Sequence, residues 1–244
     1  MRVLKTILAF VFCVYLVPGL AAAGLWAMRD RPASWREATW TSSRILPDPA
    51  RDRAARVTIF AAVTGGFKGA FAVHSWIVLK DRDGKAYDRY DVVGWGAPIR
   101  RNAYVPDGYW YSNPPQPVWE TTGAEAERLI PKIEAAIAAY PHGKRGAYRL
   151  WPGPNSNSFV AYILRKVPEI DAVLPPNAIG RDYIADGAFY HFDPAGDVNL
   201  TLYGLLGVSA GLKSGFELHL LGLVAGVDFR RPAVKVPAFG QFGS

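Results

Sequence analysis

The sequence predicts an α+β protein with an N-terminal membrane helix and a β-rich C-terminal region. Three observations predict it. Thr6 to Met28 is an uncharged apolar run. The middle of the chain mixes alternating β-branched segments with two stretches of helical period. From about residue 186 onward only short, Gly-broken alternating segments remain. The working division is an anchor or signal peptide over 1–28, a linker over 29–55, an α+β core over 56–185 and a β-rich extension over 186–244. With 244 residues, half of them hydrophobic, and eight Trp, twelve Tyr and twelve Phe, the chain can bury a core without staples. The single Cys excludes a disulfide framework and a thiolate zinc site.

The run TILAFVFCVYLVPGLAAAGLWAM is preceded by Arg2 and Lys5 and followed by Arg29. Roughly 20 apolar residues span a bilayer. Two readings compete. Ala21-Ala22-Ala23 fits signal-peptide cleavage. The length of the run and its continuation through Leu25-Trp26, with Trp26 at the interface, fit a single-pass anchor in contact with lipid through residues 6–28, which is favoured. The short basic first flank puts the globular part on the periplasmic side of a bacterial inner membrane.

The net charge is +7, and +5 once residues 1–28 are set aside, since 26 basic residues then face 21 acidic ones. The basic residues are scattered rather than striped, so no nucleic-acid partner is expected. The densest stretch, Arg29 to Arg56, reads as a solvated linker near lipid headgroups. Phosphate-loop, dinucleotide and H-E-x-x-H or C-x-x-C motifs are all missing, so no cofactor and no metal is expected.

RVTIFAAV over 56–63 and AVHSWIVLK over 72–80 read as strands. Asp83-Gly84 turns the second into a hairpin with AYDRYDVV over 86–93. Residues 94–120 lack a period but are dense in Trp, Tyr and Pro. Thr122 and Glu125 have capping-box spacing ahead of a helix that Pro131 should kink or split. Phe159, Val160, Ile163, Leu164 and Val167 mark a second helix, ending before Pro168.

The candidate chemistry lies in His74, on a strand, and Asn155-Ser156-Asn157-Ser158-Phe159, at a helix start. A helix N-terminus stabilises an anionic nucleophile, and a strand histidine can act as its base. Ser156 and His74 are therefore the candidate catalytic pair, with Asp91 as the third, orienting group. Trp95, Trp110, Trp119, Asn155 and Asn157 are candidate substrate contacts. The competing reading is that Asn155 or Ser156 only caps the helix, and that the aromatic residues only cover the core edge. Gly207-Val-Ser209-Ala-Gly211 fits G-x-S-x-G, but its β-like setting and the order of His219 and Asp228 argue for a chance match. His191-Phe-Asp193 lacks a second cluster to complete a metal site.

A histidine strand followed by Asn155-Ser156-Asn157-Ser158-Phe159 resembles the circularly permuted, NlpC-type papain-like fold over about residues 56–170. Those families keep Cys where this chain has Ser156. AVHSWIVLK, RYDVVGWG, PDGYWYSNPP, YRLWPGPNSNSFVAYI and LPPNAIGRDY resemble the bacterial domain-of-unknown-function family 3750 over most of residues 56–235. That resemblance implies a membrane-anchored envelope protein and no known activity. Three functions stay open. One is a Ser–His hydrolase or acyl/peptidyl transferase acting on an envelope substrate. Another is a non-catalytic module holding peptidoglycan, lipid or a partner protein. The last is a structural membrane protein.

Overall fold

A computed structural model describes residues 1–243. Helix α1 (Arg2–Val11) passes through a π turn (Phe12–Leu16) into α2 (Val17–Ala27) without a break. The whole run, Arg2–Ala27, is long and apolar enough to cross a membrane. It is not a free stalk. Tyr15, Ala22 and Trp26 are buried. The Tyr15 hydroxyl donates to the Leu218 carbonyl (2.8 Å) and the Trp26 indole to the Gly66 carbonyl (3.0 Å).

Two antiparallel sheets follow. The first has the order β4-β3-β2-β1-β5, built from β1 (Arg56–Val63), β2 (Val73–Lys80), β3 (Asp88–Val92), β4 (Ile99–Arg101) and β5 (Gln116–Thr122). The hairpin expected at Asp83-Gly84 is present, with Val78 opposite Arg89 and Ile77 opposite Tyr90. Residues 29–55 run along this sheet. Trp40 packs on its aromatic face, and the Asp107 carboxylate accepts from the Ile45 and Leu46 amides. The buried Lys80 ammonium donates to the Asp52 and Ala54 carbonyls (2.7 and 2.6 Å), tying that segment to β2.

Period-two alternation gives the sheet two different faces. Val57, Ile59, Ala61, Ile77 and Leu79 face α3 (Ala124–Ala138) and α4 (Ser156–Lys166) in the main core. Phe60, Trp76 and Val78 face the other way, into an aromatic cluster with Trp110.

Two local expectations are corrected. Helix α3 has no capping box, because Thr122 stays in β5 opposite Arg56 and Gly123, at φ +71°, becomes the N-cap. Glu125 accepts from Thr121 instead. Helix α3 also runs unbroken through Pro131. Pro131 is exposed, while Leu129, Ile130, Ile133 and Ile137 on the far face are buried, and that packing holds the helix through the missing hydrogen bond.

The second sheet is a seven-stranded meander: β6 (Tyr190–Phe192), β7 (Val198–Leu202), β8 (Leu206–Gly211), β9 (Gly215–Leu220), β10 (Leu223–Asp228), β11 (Ala233–Val236) and β12 (Gly240–Gly243). The fold is thus α+β with two antiparallel sheets and an N-terminal apolar helix. The papain-like arrangement is not part of what the architecture establishes.

Candidate functional site

Asn155 is the N-cap of α4, and its side chain is fully used. Its Oδ1 accepts from the Asn157 and Ser158 amides (2.9 and 3.1 Å), and Nδ2 donates to the Leu150 and Ile179 carbonyls (3.0 Å each). The Ser158 hydroxyl accepts from the Asn155 amide, closing a capping box. A Cβ at Gly180 would lie 2.4 Å from the side-chain Nδ2 of Asn155, so the chain approaches this cap where only glycine fits. Asn157 is equally committed. It donates to the Val73 and Ile179 carbonyls (2.9 and 2.8 Å) and accepts from the Ser75 hydroxyl (2.8 Å). Both asparagines, expected as substrate contacts, spend their polar atoms within the chain: Asn155 caps α4 and ties it to the Leu150 and Ile179 carbonyls, and Asn157 holds it to the start of β2.

Ser156 lies between them and makes no side-chain hydrogen bond among the described residues. It lines a cavity of about 190 Å³ with His74, Trp95, Trp110, Asn155 and Asn157. Tyr111, from the aromatic-rich segment read as a candidate groove wall, lines it too, whereas sequence reasoning missed Lys68, Tyr148 and Trp151. None carries a motif. They arrive from loops that only the fold brings together. The cavity sits at the start of β2 and is lined there by Val73 and His74, which point to opposite faces of the sheet.

His74 lies flat on Trp110, ring centroids 3.8 Å apart and planes within 3°. The imidazole Nε2 and the Trp110 indole nitrogen are both buried without a partner. Burial, then the Arg89 and Lys68 cations, hold His74 well below its ordinary pKa, so the ring is neutral at pH 7. His74 shares a sheet face with Trp76, whereas α4 packs against the Ser75 face. Ser156 and His74 thus meet the same cavity from different sides, and no hydrogen bond joins them.

Asp91 is elsewhere. Its carboxylate pairs with Arg89 at 2.6 Å, both fully buried, and burial pushes the carboxyl up despite that guanidinium. Arg89 in turn sits 4.1 Å from the Trp76 ring and 5.5 Å from the Trp110 ring. Asp91 therefore braces the floor beneath Trp110 and does not touch His74. Trp119, on β5 opposite Ile59, lines a separate cleft of about 630 Å³ with Arg29, Arg230 and Arg231.

A second polar cluster joins the segment after α4 to the second sheet. Arg181 Nη2 lies 2.5 Å from Glu217, Asp182 lies 2.8 Å from His219 Nδ1, and Lys235 pairs with Glu217. Ser209 Oγ is 3.2 Å from His219 Nε2. Ser209, His219 and Asp182 thus have the contacts of a nucleophile, a base and an orienting acid. Two facts remove that role. Burial disfavours the His219 charge, but Asp182 and Glu217 outweigh it and raise the ring to about 9, so it is a cation with no base function at pH 7. Ser209 lies in mid-strand on β8, with no turn to expose it. Donor atoms of Asp182, Glu217 and His219 come within 4.8 Å of one another, as metal ligands could. Arg181 and Lys235 already engage the Glu217 carboxylate, so the cluster is a filled ion-pair network.

Comparison with family models matches residues 54–183, more than half of the chain, to a family described as Protein of unknown function (DUF3750). Searches of curated proteins and of solved structures found no match.

Proposed function

We propose that this chain, which belongs to the DUF3750 family of proteins of unknown function, is a membrane-anchored binding protein of the bacterial envelope. The Arg2–Ala27 helix anchors it to the inner membrane with the globular part on the periplasmic side, a reading supported by the helix's length, composition and short basic flank. The aromatic cavity holds a small envelope ligand with a polar group and an apolar body. One observation carries this reading: two buried, unpartnered polar atoms, His74 Nε2 and Trp110 Nε1, belong to residues that line one cavity together with the unbonded Ser156 side chain. Buried polar groups are ordinarily paired, and a ligand supplies the partners. In a neutral imidazole Nε2 accepts or donates one bond according to the tautomer, and the indole N–H donates one.

Catalysis by Ser156 is the reading this displaces. A serine needs a base within hydrogen-bond reach and a group orienting that base. Here Ser156 and His74 are not bonded, and Asp91 is locked to Arg89.

The test uses the full chain in detergent micelles. Tryptophan fluorescence is followed while a muropeptide or a lysophospholipid is added. Saturable quenching that Trp110→Phe and Ser156→Ala weaken several-fold supports the cavity. No saturable response to either probe overturns binding of these classes. Fluorophosphonate labelling that disappears in Ser156→Ala would establish the hydrolase instead.

A further inference from the structure

The second sheet is built inside out. Its inner face carries Asn199, Ser209, Glu217, His219 and Lys235, all packed against the rest of the chain. The alternate residues point away from the molecule and are apolar on every strand. Phe192, Leu206 and Phe242 are 61%, 55% and 56% exposed, and Leu200, Phe216 and Val234 lie on the same exposed side. The largest apolar patch of a soluble monomer is roughly 300–600 Å². Seven strands about 4.8 Å apart make a face roughly 30 Å wide.

The apolar helix touches this face. Tyr15, midway along the apolar helix, bonds to the Leu218 carbonyl on β9. Leu218 and its cross-strand partner Ala225 are accordingly half-buried and buried. A helix about 10 Å across covers about two strands. The outward residues of β6 to β8 and of β11 and β12 stay uncovered beside it.

We infer that the outer face of the second sheet is a lipid-contact surface, continuous with the apolar helix, which seats the protein on the bilayer. The occupant is identified by continuity and by charge. The helix is the segment that lipid receives, and it is docked on this same face, so helix and sheet present one apolar surface. Charge marks its border. Arg29, at the end of the helix, lines one cleft with Arg230 and Arg231 of the β10–β11 turn. Trp26 lies under Arg29 and Arg31, 5.6 and 5.2 Å from its ring. Arginines gathered at this border, two of them over the buried Trp26 ring, match the headgroup layer of an anionic membrane.

This inference rests on the helix being the anchor, and the experiment separates the two. In the full chain, Cys13→Ser removes the native thiol. Single cysteines are then introduced by Leu206→Cys, Phe242→Cys, Leu8→Cys or Lys85→Cys and spin-labelled. The protein is reconstituted into vesicles of phosphatidylethanolamine and phosphatidylglycerol. Collision with lipid-soluble oxygen is compared with collision with a water-soluble nickel chelate. Labels at 206 and 242 should favour oxygen several-fold, as at 8, while 85, near the tip of the first hairpin, favours nickel. Sheet labels in water with label 8 in lipid would overturn the inference and leave the anchor standing. Label 8 in water would overturn the anchor. Sheet labels screened from both reagents would mean that a second copy covers the face, which also overturns lipid contact.

Discussion

Asn155 and Ser156 are neighbours with opposite duties. The first satisfies two amides and two carbonyls, and the side chain of the second bonds to nothing among the described residues. Asn155→Ala removes a cap and leaves buried carbonyls unpaired, so it should cost about 2–4 kcal/mol in urea unfolding. Ser156→Ala removes one hydroxyl that has no partner and should stay within about 0.5 kcal/mol of wild type. A large loss in Ser156→Ala would make it a structural residue and withdraw it from the cavity's chemistry. Two histidines make opposite contributions to pH dependence. His74 is depressed, so its neutral form is favoured by the fold and stability falls as pH drops below its ordinary value near 6.5. His219 is raised to about 9, so its contribution is full below about 6.5 and is lost as pH climbs through 9. The shift of roughly 2.5 units is worth about 3 kcal/mol. Urea midpoints measured from pH 6 to pH 10 should fall along that limb in wild type. His219→Gln should start lower and show a much flatter slope. An unchanged slope in that variant would assign the alkaline loss to other groups.

At the scale of elements, α3 shows packing outweighing local preference. Pro131 cannot donate to the Glu127 carbonyl, yet the helix continues because its buried face spans the proline. The residue is exposed, so Pro131→Ala should restore a donor without disturbing the core. It should stabilise the protein by about 1–3 kcal/mol, read as a raised thermal midpoint. A lowered midpoint would show that the proline ring packs in a way its exposure hides. Local signals were legible where they were self-contained. The Asp83-Gly84 turn fixed the hairpin, and the Asn-Ser-Asn-Ser run before Phe159 marked the start of α4. The cavity was legible in part: His74, Ser156, Trp95 and Trp110 do share it. Asp91 and Trp119 were not placeable, because strand alternation tells which residues share a face but not what packs on it. Arg89 two residues away claims Asp91, and the strand order β1-β5 carries Trp119 to another cleft. The inverted second sheet hid for the same reason. Its alternation is plain in the sequence, but only the Arg181 and Asp182 contacts reveal that the polar side is the inner one.

For the whole molecule, the question is whether the second sheet is a separate unit. The family match ends at residue 183, just past Arg181 and Asp182. Those two side chains reach into the second sheet and hold Glu217 and His219. The sheet's inner face therefore has no use alone. Detached, it would expose a polar side to water and an apolar side with nothing beneath it. The junction also contains a third cation, Lys235, on Glu217, so removal of one charge unbalances all five groups. Breaking a buried ion pair from one side costs about 3–5 kcal/mol, because the abandoned charge stays buried. Glu217→Gln strands Arg181 and Lys235 without their carboxylate, so it should lose that much and unfold in a single transition, since the core and the second sheet share the network. Adding Lys235→Met to Glu217→Gln removes one of the two abandoned cations and should recover part of the loss. Two separated transitions in the wild type, or no recovery in the double variant, would mean that the core and the second sheet are joined by something other than these charges. A single transition with recovery would make the β-rich region an integral part of the domain that the family match only partly covers.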